Sequence, residues 1–143
     1  MPPKRISLPL LTIIPLTVAI TLGTASDRIL YADDPRVESK PTVELTIDFG
    51  DGAEKRYRTI PWKEGMTAGD SLDYAEKHPH GIELETRGRG PTAILLRIDD
   101  VRNSSASGKN WIFRVDGKLA DRSFGVFSLD AGASVLWRFE EYP

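Results

Sequence analysis

Apolar and polar residues begin to alternate at Thr42. Val43, Leu45, Ile47 and Phe49 point one way and Glu44, Thr46 and Asp48 the other, the period-two pattern of a half-buried strand. Gly50-Asp51-Gly52-Ala53 supplies turn chemistry, because glycine reaches positive φ without steric cost. Glu54 to Ile60 predicts a second strand, with Tyr57 facing in and Arg56 and Arg58 facing out. The period then changes. Thr67-Ala68-Gly69-Asp70 has the form of a capping box, and Ala68, Leu72 and Ala75 recur at spacings of four and three. This predicts a helix to about Lys77, with Asp70 and Lys77 at the ends that suit the helix dipole and His78-Pro79-His80-Gly81 ending it.

Beyond the helix the pattern returns to strands. Ile82 to Glu85 predicts a short edge strand, and Gly88-Arg89-Gly90-Pro91 a turn. Thr92 to Asp99 predicts a strand with Ile94, Leu96 and Ile98 on one face. A serine-rich loop spans Asn103 to Asn110; then Trp111, Phe113 and Val115 alternate with Ile112, Arg114 and Asp116. Turns follow at Gly117 and at Leu129-Asp130-Ala131-Gly132, and Val135, Trp137 and Phe139 alternate in the last strand. Two strands, one helix and then further strands predict an α+β domain with the helix packed on one mixed sheet, in the β-grasp or ubiquitin-like order. Seven of the twelve aromatic residues lie at or after Trp111, so the carboxy-terminal strands are expected to fill much of the core.

The amino terminus reads differently. Lys4 and Arg5 precede 21 positions, Ile6 to Ser26, without a charge, and Gly23-Thr24-Ala25 is a small-x-small cleavage site. That is the order of a signal peptide, residues 1–25; an alternative cut follows Ala32, and the rival is an uncleaved anchor through residues 6–26. Residues 26–41, with Pro35 and Pro41, read as a linker, leaving 42–143 as the domain. Removing residues 1–25 changes the net charge from −2 to −4, so no basic field for nucleic acid exists. The chain has no cysteine, which excludes disulfides, thiol catalysis and zinc–thiolate sites; an exported domain of about 100 residues must hold together by its core alone.

Several ordered motifs carry a family resemblance. Trp111-Ile112-Phe113-Arg114-Val115-Asp116-Gly117 looks like W-x-Y-x-V-N-G. Phe127-Ser128-Leu129-Asp130-Ala131-Gly132 and Val135-Leu136-Trp137-Arg138-Phe139 look like Y-x-L-x-x-G-D followed by I-x-W-x-Y, and Gly65-Met66-Thr67 like a G-x-T helix start. Residues 42–142 thereby resemble an uncharacterised, usually exported domain family related to the carboxy-terminal domain of transcobalamin and intrinsic factor, which implies a β-grasp-like fold. The departures are Phe113 for tyrosine, Asp116 for asparagine and Ala133 for aspartate. In the cobalamin carriers a large helical domain supplies much of the pocket, so the resemblance carries the fold further than it carries vitamin binding.

Candidate chemistry is sparse. His78-x-His80 has no acidic or cysteine partner at metal spacing and reads as a helix-ending turn. Asp99-Asp100 reads as a solvated strand end rather than a calcium or catalytic pair. Ser104, Ser105 and Ser107 lack a nucleophile-elbow context, and Gly88-Arg89-Gly90 lacks the strand-to-helix setting of a phosphate loop. Asn103-Ser104-Ser105 is a glycosylation sequon, meaningful only in a eukaryotic secretory route. Trp111 and Trp137 fall on the core face by period, so packing outweighs ligand stacking. Trp62, in a loop after Ile60-Pro61, is either a partner anchor or a cover for one end of the core.

The outward set is the more informative one. Alternation puts Glu44, Asp48, Arg56, Arg58, Arg97, Arg114 and Arg138 opposite the core, with Thr46, Leu95, Ile112 and Leu136 among them. The two readings are a solubilising lattice of salt bridges and a docking face for an acidic protein or anionic ligand, with Arg58, Arg97, Ile112, Arg114, Leu136 and Arg138 at its centre. The sequence therefore points to a non-catalytic exported binding module, with no cofactor, for a protein or small-molecule partner and not for nucleic acid. The alternatives are a cobalamin-type binding domain or lid, and a membrane-anchored docking domain. No acid–base or nucleophile constellation suggests an enzyme.

Overall fold

The structure, a computed structural model, describes residues 39–143. The signal segment, the cut after Ala32 and most of the linker lie outside the described residues. None of the described helices is long and apolar enough to cross a membrane.

Two sheets and one helix make up the domain. Strands β1 (Thr42–Asp48), β2 (Glu54–Pro61), β6 (Lys109–Val115), β7 (Lys118–Leu119) and β8 (Ser134–Glu141) form a five-stranded sheet. Its order is β2-β1-β8-β6-β7, with β1 and β8 parallel at the centre and the other pairs antiparallel. A three-stranded sheet, β3 (Leu84–Arg87), β4 (Ile94–Ile98) and β5 (Val101–Arg102), stands apart from it. One mixed sheet was the expectation. The chain instead divides its strands, because β3 to β5 pair locally among themselves and reach β6 only through side chains.

Helix α1 (Ala68–Lys77) begins with the expected capping box: Thr67 Oγ1 accepts from the Asp70 N–H and the Asp70 carboxylate accepts from the Thr67 N–H. Two further first-turn N–H groups, of Ala68 and Gly69, donate to the Phe127 and Phe124 carbonyls, so the loop before β8 clasps the helix start. Ala68, Ser71, Leu72 and Ala75 are buried, and the helix packs on β1 and β2.

The core collects Val43, Leu45, Ile47, Tyr57, Ile60, Leu72, Ile98, Trp111, Phe113, Val135 and Trp137 into one cluster. Trp137 stacks on Phe113 at 4.7 Å and meets Phe124 edge-on at 5.6 Å, so the carboxy-terminal aromatics do fill its centre. Trp111 packs edge-on to Phe49 and against Phe139, both only partly buried.

Alternation fails at two bulges. Tyr57 faces Leu45 and Ile60 faces Val43, three steps along β2 against two along β1, so both Tyr57 and Ile60 point inward. On β4, Leu95 faces Thr86 and Arg97 faces Glu85, two steps against one. This corrects the expected Ile94, Leu96, Ile98 face: Leu95 and Ile98 are buried, and Ile94 is 47% exposed.

Candidate functional site

The outer face of the five-stranded sheet is built in cross-strand rows. One row runs Arg56, Thr46, Leu136, Arg114, Leu119; the next runs Glu54, Asp48, Arg138, Ile112. Leu136 thus lies opposite Arg114 and Ile112 opposite Arg138, a checkerboard of two apolar side chains and two guanidinium groups.

Most of those arginines are paired. Arg138 Nε donates to the Asp48 carboxylate at 2.8 Å, Arg56 bonds Glu54 at 2.7 Å, and Arg114 pairs with Glu140. The acids come from neighbouring strands or from the same strand, so the face is close to neutral over Glu44, Asp48, Glu54 and Glu140 against Arg56, Arg58, Arg114 and Arg138. Arg58 has no ion-pair partner among the described residues. The exposed pairs contribute about 0–1 kcal/mol each.

Arg97 and Leu95 do not belong to this face. Both sit on β4 in the three-stranded sheet; Leu95 is buried, and Arg97 bonds Glu83 and Glu85 at 3.4 Å. Arg102 also bonds Glu85, and these contacts hold the Glu85 carboxyl below the usual carboxylate range, the Arg102 hydrogen bond first.

Trp62 closes one end of the core. Its indole N–H donates to the Leu129 carbonyl at 2.7 Å and its backbone N–H to Pro41 at 2.9 Å, with the ring packed on the cluster. Asn103 joins the two sheets. Its Nδ2 donates to Leu95 O and its Oδ1 accepts from Trp111 N, each at 2.8 Å. One of the two Nδ2 hydrogens is therefore committed to the Leu95 carbonyl, and the sequon side chain is a structural joint. Asp99 is structural as well: it pairs with Lys55 at 2.9 Å and accepts from the Glu83 N–H.

A groove of about 350 Å³ runs along the outer edge of β2. Lys55, Arg56, Tyr57, Arg58 and Thr59 form one wall and Tyr74, His78 and His80 the other. Both histidines of the chain are here, stacked at a tilt 6.1 Å apart, and His78 Nδ1 accepts from the His80 N–H. Tyr57 donates its hydroxyl to His80 O at 2.9 Å; burial pushes that hydroxyl's pKa up, Lys55 lowers it and Asp99 raises it. The sequence reading separated these residues into an exposed turn and a sheet face. What brings them together is the packing of α1 on β2, which no local pattern announces.

No protein-family model matches the chain, and no curated protein matches it. Among solved structures it is similar to a putative metal binding protein from Ruminococcus gnavus. The two are 14% identical, with 72% of this chain and 99% of that chain covered and a TM-score of 0.55. At that identity the likeness establishes a shared α+β fold.

Proposed function

We propose that the chain is a non-catalytic, exported binding module of the β-grasp type, related to the carboxy-terminal domain of the cobalamin carriers, and that its docking surface is the outer face of the five-stranded sheet. Two facts support the fold reading: the sheet order β2-β1-β8-β6-β7 with a parallel central pair, and the helix following the first hairpin. The observation behind the docking surface is the Ile112–Leu136 diagonal set between Arg114 and Arg138 on the face opposite the core. Paired arginines suit a partner that brings apolar contact and polar rims better than one that brings only charge. Metal binding is not part of the proposal, because no three His, Asp or Glu side chains converge among the described residues.

The test is in-cell cross-linking from the native envelope with the wild-type chain and with Ile112→Thr/Leu136→Thr, which keeps strand preference and deletes the apolar pair. A cross-linked partner lost in the variant, at equal melting temperature, supports the surface; a partner retained at full yield refutes it. Saturable tryptophan quenching by cobalamin would favour the carrier-type alternative. The mass of the mature amino terminus separates cleavage after Ala25 from a retained anchor.

A further inference from the structure

We propose a second surface, which shares Arg56 and Arg58 with the rim of the sheet face but not its Ile112–Leu136 pair: the groove between β2 and α1 takes an extended acidic peptide segment as an added strand. β2 is the outermost strand of its sheet and pairs only with β1, so its other edge offers main-chain donors and acceptors to a peptide. Five consecutive residues, Lys55 to Thr59, line the groove, a length of about 17 Å of extended chain. The opposite wall is α1 and its end, where Tyr74 is 38% exposed and His78 is half-buried.

Charge selects the occupant. The chain carries a net −2, yet three cations and both imidazoles line this groove and no carboxylate does. Lys55 and Arg56 are held by Asp99 and Glu54 just outside it, while Arg58 has no ion-pair partner among the described residues. Side chains of an added strand alternate in direction. Those beside Arg56 and Arg58 meet guanidinium groups, and those between meet Tyr57, Tyr74 and His78. The matching segment therefore alternates acidic with apolar residues. The charged edge also blocks pairing with a second copy of the chain, since two such edges repel.

The experiment titrates the protein with fluorescein-labelled Glu-Val-Glu-Val-Glu by anisotropy and by backbone amide NMR. Saturable binding with shifts at residues 55–59 is expected, along with at least tenfold weaker binding to Arg58→Glu and none for Lys-Val-Lys-Val-Lys. Two peptides N-methylated at alternate amides separate strand addition from simple anion capture: only the one methylated on the β2-facing amides loses binding. Equal affinity of both, full displacement by inorganic phosphate, or unchanged binding to Arg58→Glu overturns the proposal, as does an edge whose amides do not shift. If Arg58→Glu melts early, Arg58→Gln serves in its place with the same expected direction. Ile112→Thr/Leu136→Thr leaves peptide binding unchanged, so the two surfaces fail or stand separately.

Discussion

The same substitution at two buried tryptophans tests how this core is balanced. Trp111 and Trp137 are 5% and 2% exposed, so Trp→Phe removes a similar ring from each. The shared loss of apolar burial and packing is about 1–2 kcal/mol. Hydrogen bonding then separates them. Trp111 donates its indole N–H to Val101 O at 2.9 Å, tying β6 to β5. Trp111→Phe loses that hydrogen bond and adds about 1 kcal/mol. The Trp137 indole N–H is buried with no acceptor, and Trp137→Phe removes a donor whose desolvation costs about 1–3 kcal/mol. Trp111→Phe is therefore the more destabilising by at least about 2 kcal/mol, a separation of roughly 8 °C or more in a domain of this size. Burial alone ranks them the other way, since Trp137 is the more deeply packed. Guanidinium chloride unfolding followed by far-ultraviolet circular dichroism measures both, with unchanged m-values as the check on two-state behaviour. A Trp137→Phe loss equal to or above that of Trp111→Phe would refute the reasoning.

Three further outcomes follow from named contacts. Thr67→Ala removes the side-chain half of the capping box, leaving the Asp70 carboxylate on the residue-67 N–H, and lowers stability by about 1 kcal/mol, while Thr67→Ser keeps both halves; thermal melts compare the two. Gly50→Ala places a Cβ 2.4 Å from the Phe139 carbonyl at φ +75°, whereas Gly52→Ala at φ +97° meets nothing within 4 Å. Gly52→Ala thus costs only the backbone strain of about 1–2 kcal/mol, and chemical denaturation should show Gly50→Ala costing at least about twice that. Tyr57→Phe loses the bond to His80 O and about 1 kcal/mol at neutral pH. Because burial raises the Tyr57 pKa above 10.0, the unfolded chain ionises first and wild-type stability falls as pH rises above that value. The variant lacks this alkaline loss, so the two stability–pH curves converge above pH 10; parallel curves would contradict it.

The strands and the helix were legible because each carries its own signal. Val43, Leu45 and Ile47 alternate without interruption, and the Thr67–Asp70 box and the Lys77-His78 boundary bracket α1 where the helix is found. The turn at Gly117 was legible too, though Asp116, read as part of the strand, also belongs to it, with φ of 50° and 76° between β6 and β7. What failed was anything set by a partner strand. The extra residue at Leu96 is invisible until Glu85 and Thr86 lie beside it, so Leu95 was read as outward, and Arg97 was set on the face of a single sheet that the structure divides in two. The two-residue strands β5 and β7 are too short to show a period. On the sheet face, the arginines and acids were legible, but the Asp48–Arg138 pair depends on β1 lying parallel to β8, a contact spanning 90 residues. The β2 groove was missed for the same reason.

The division into two sheets also explains how a cysteine-free domain keeps them joined. One cluster of polar bridges between them gathers at one side chain and one ring: Asn103 spans Leu95 O and Trp111 N, and the Trp111 indole reaches Val101 O; Lys55 of β2 adds a separate tie to Asp99 in the β4–β5 turn. An amide is required at position 103, since it must donate to one carbonyl and accept from one N–H; aspartate would set a carboxylate against Leu95 O, and serine would be too short to span both. The turn of β4 that breaks alternation is what delivers Leu95 to this joint, so the bulge and the asparagine are one device. Both proposed surfaces lie on the other side of it, on the outer face and free edge of the five-stranded sheet. Substitutions there can change binding without loosening the joint, whereas changes at Asn103 should unclip the small sheet while leaving the capping box and the β1–β8 pairing in place.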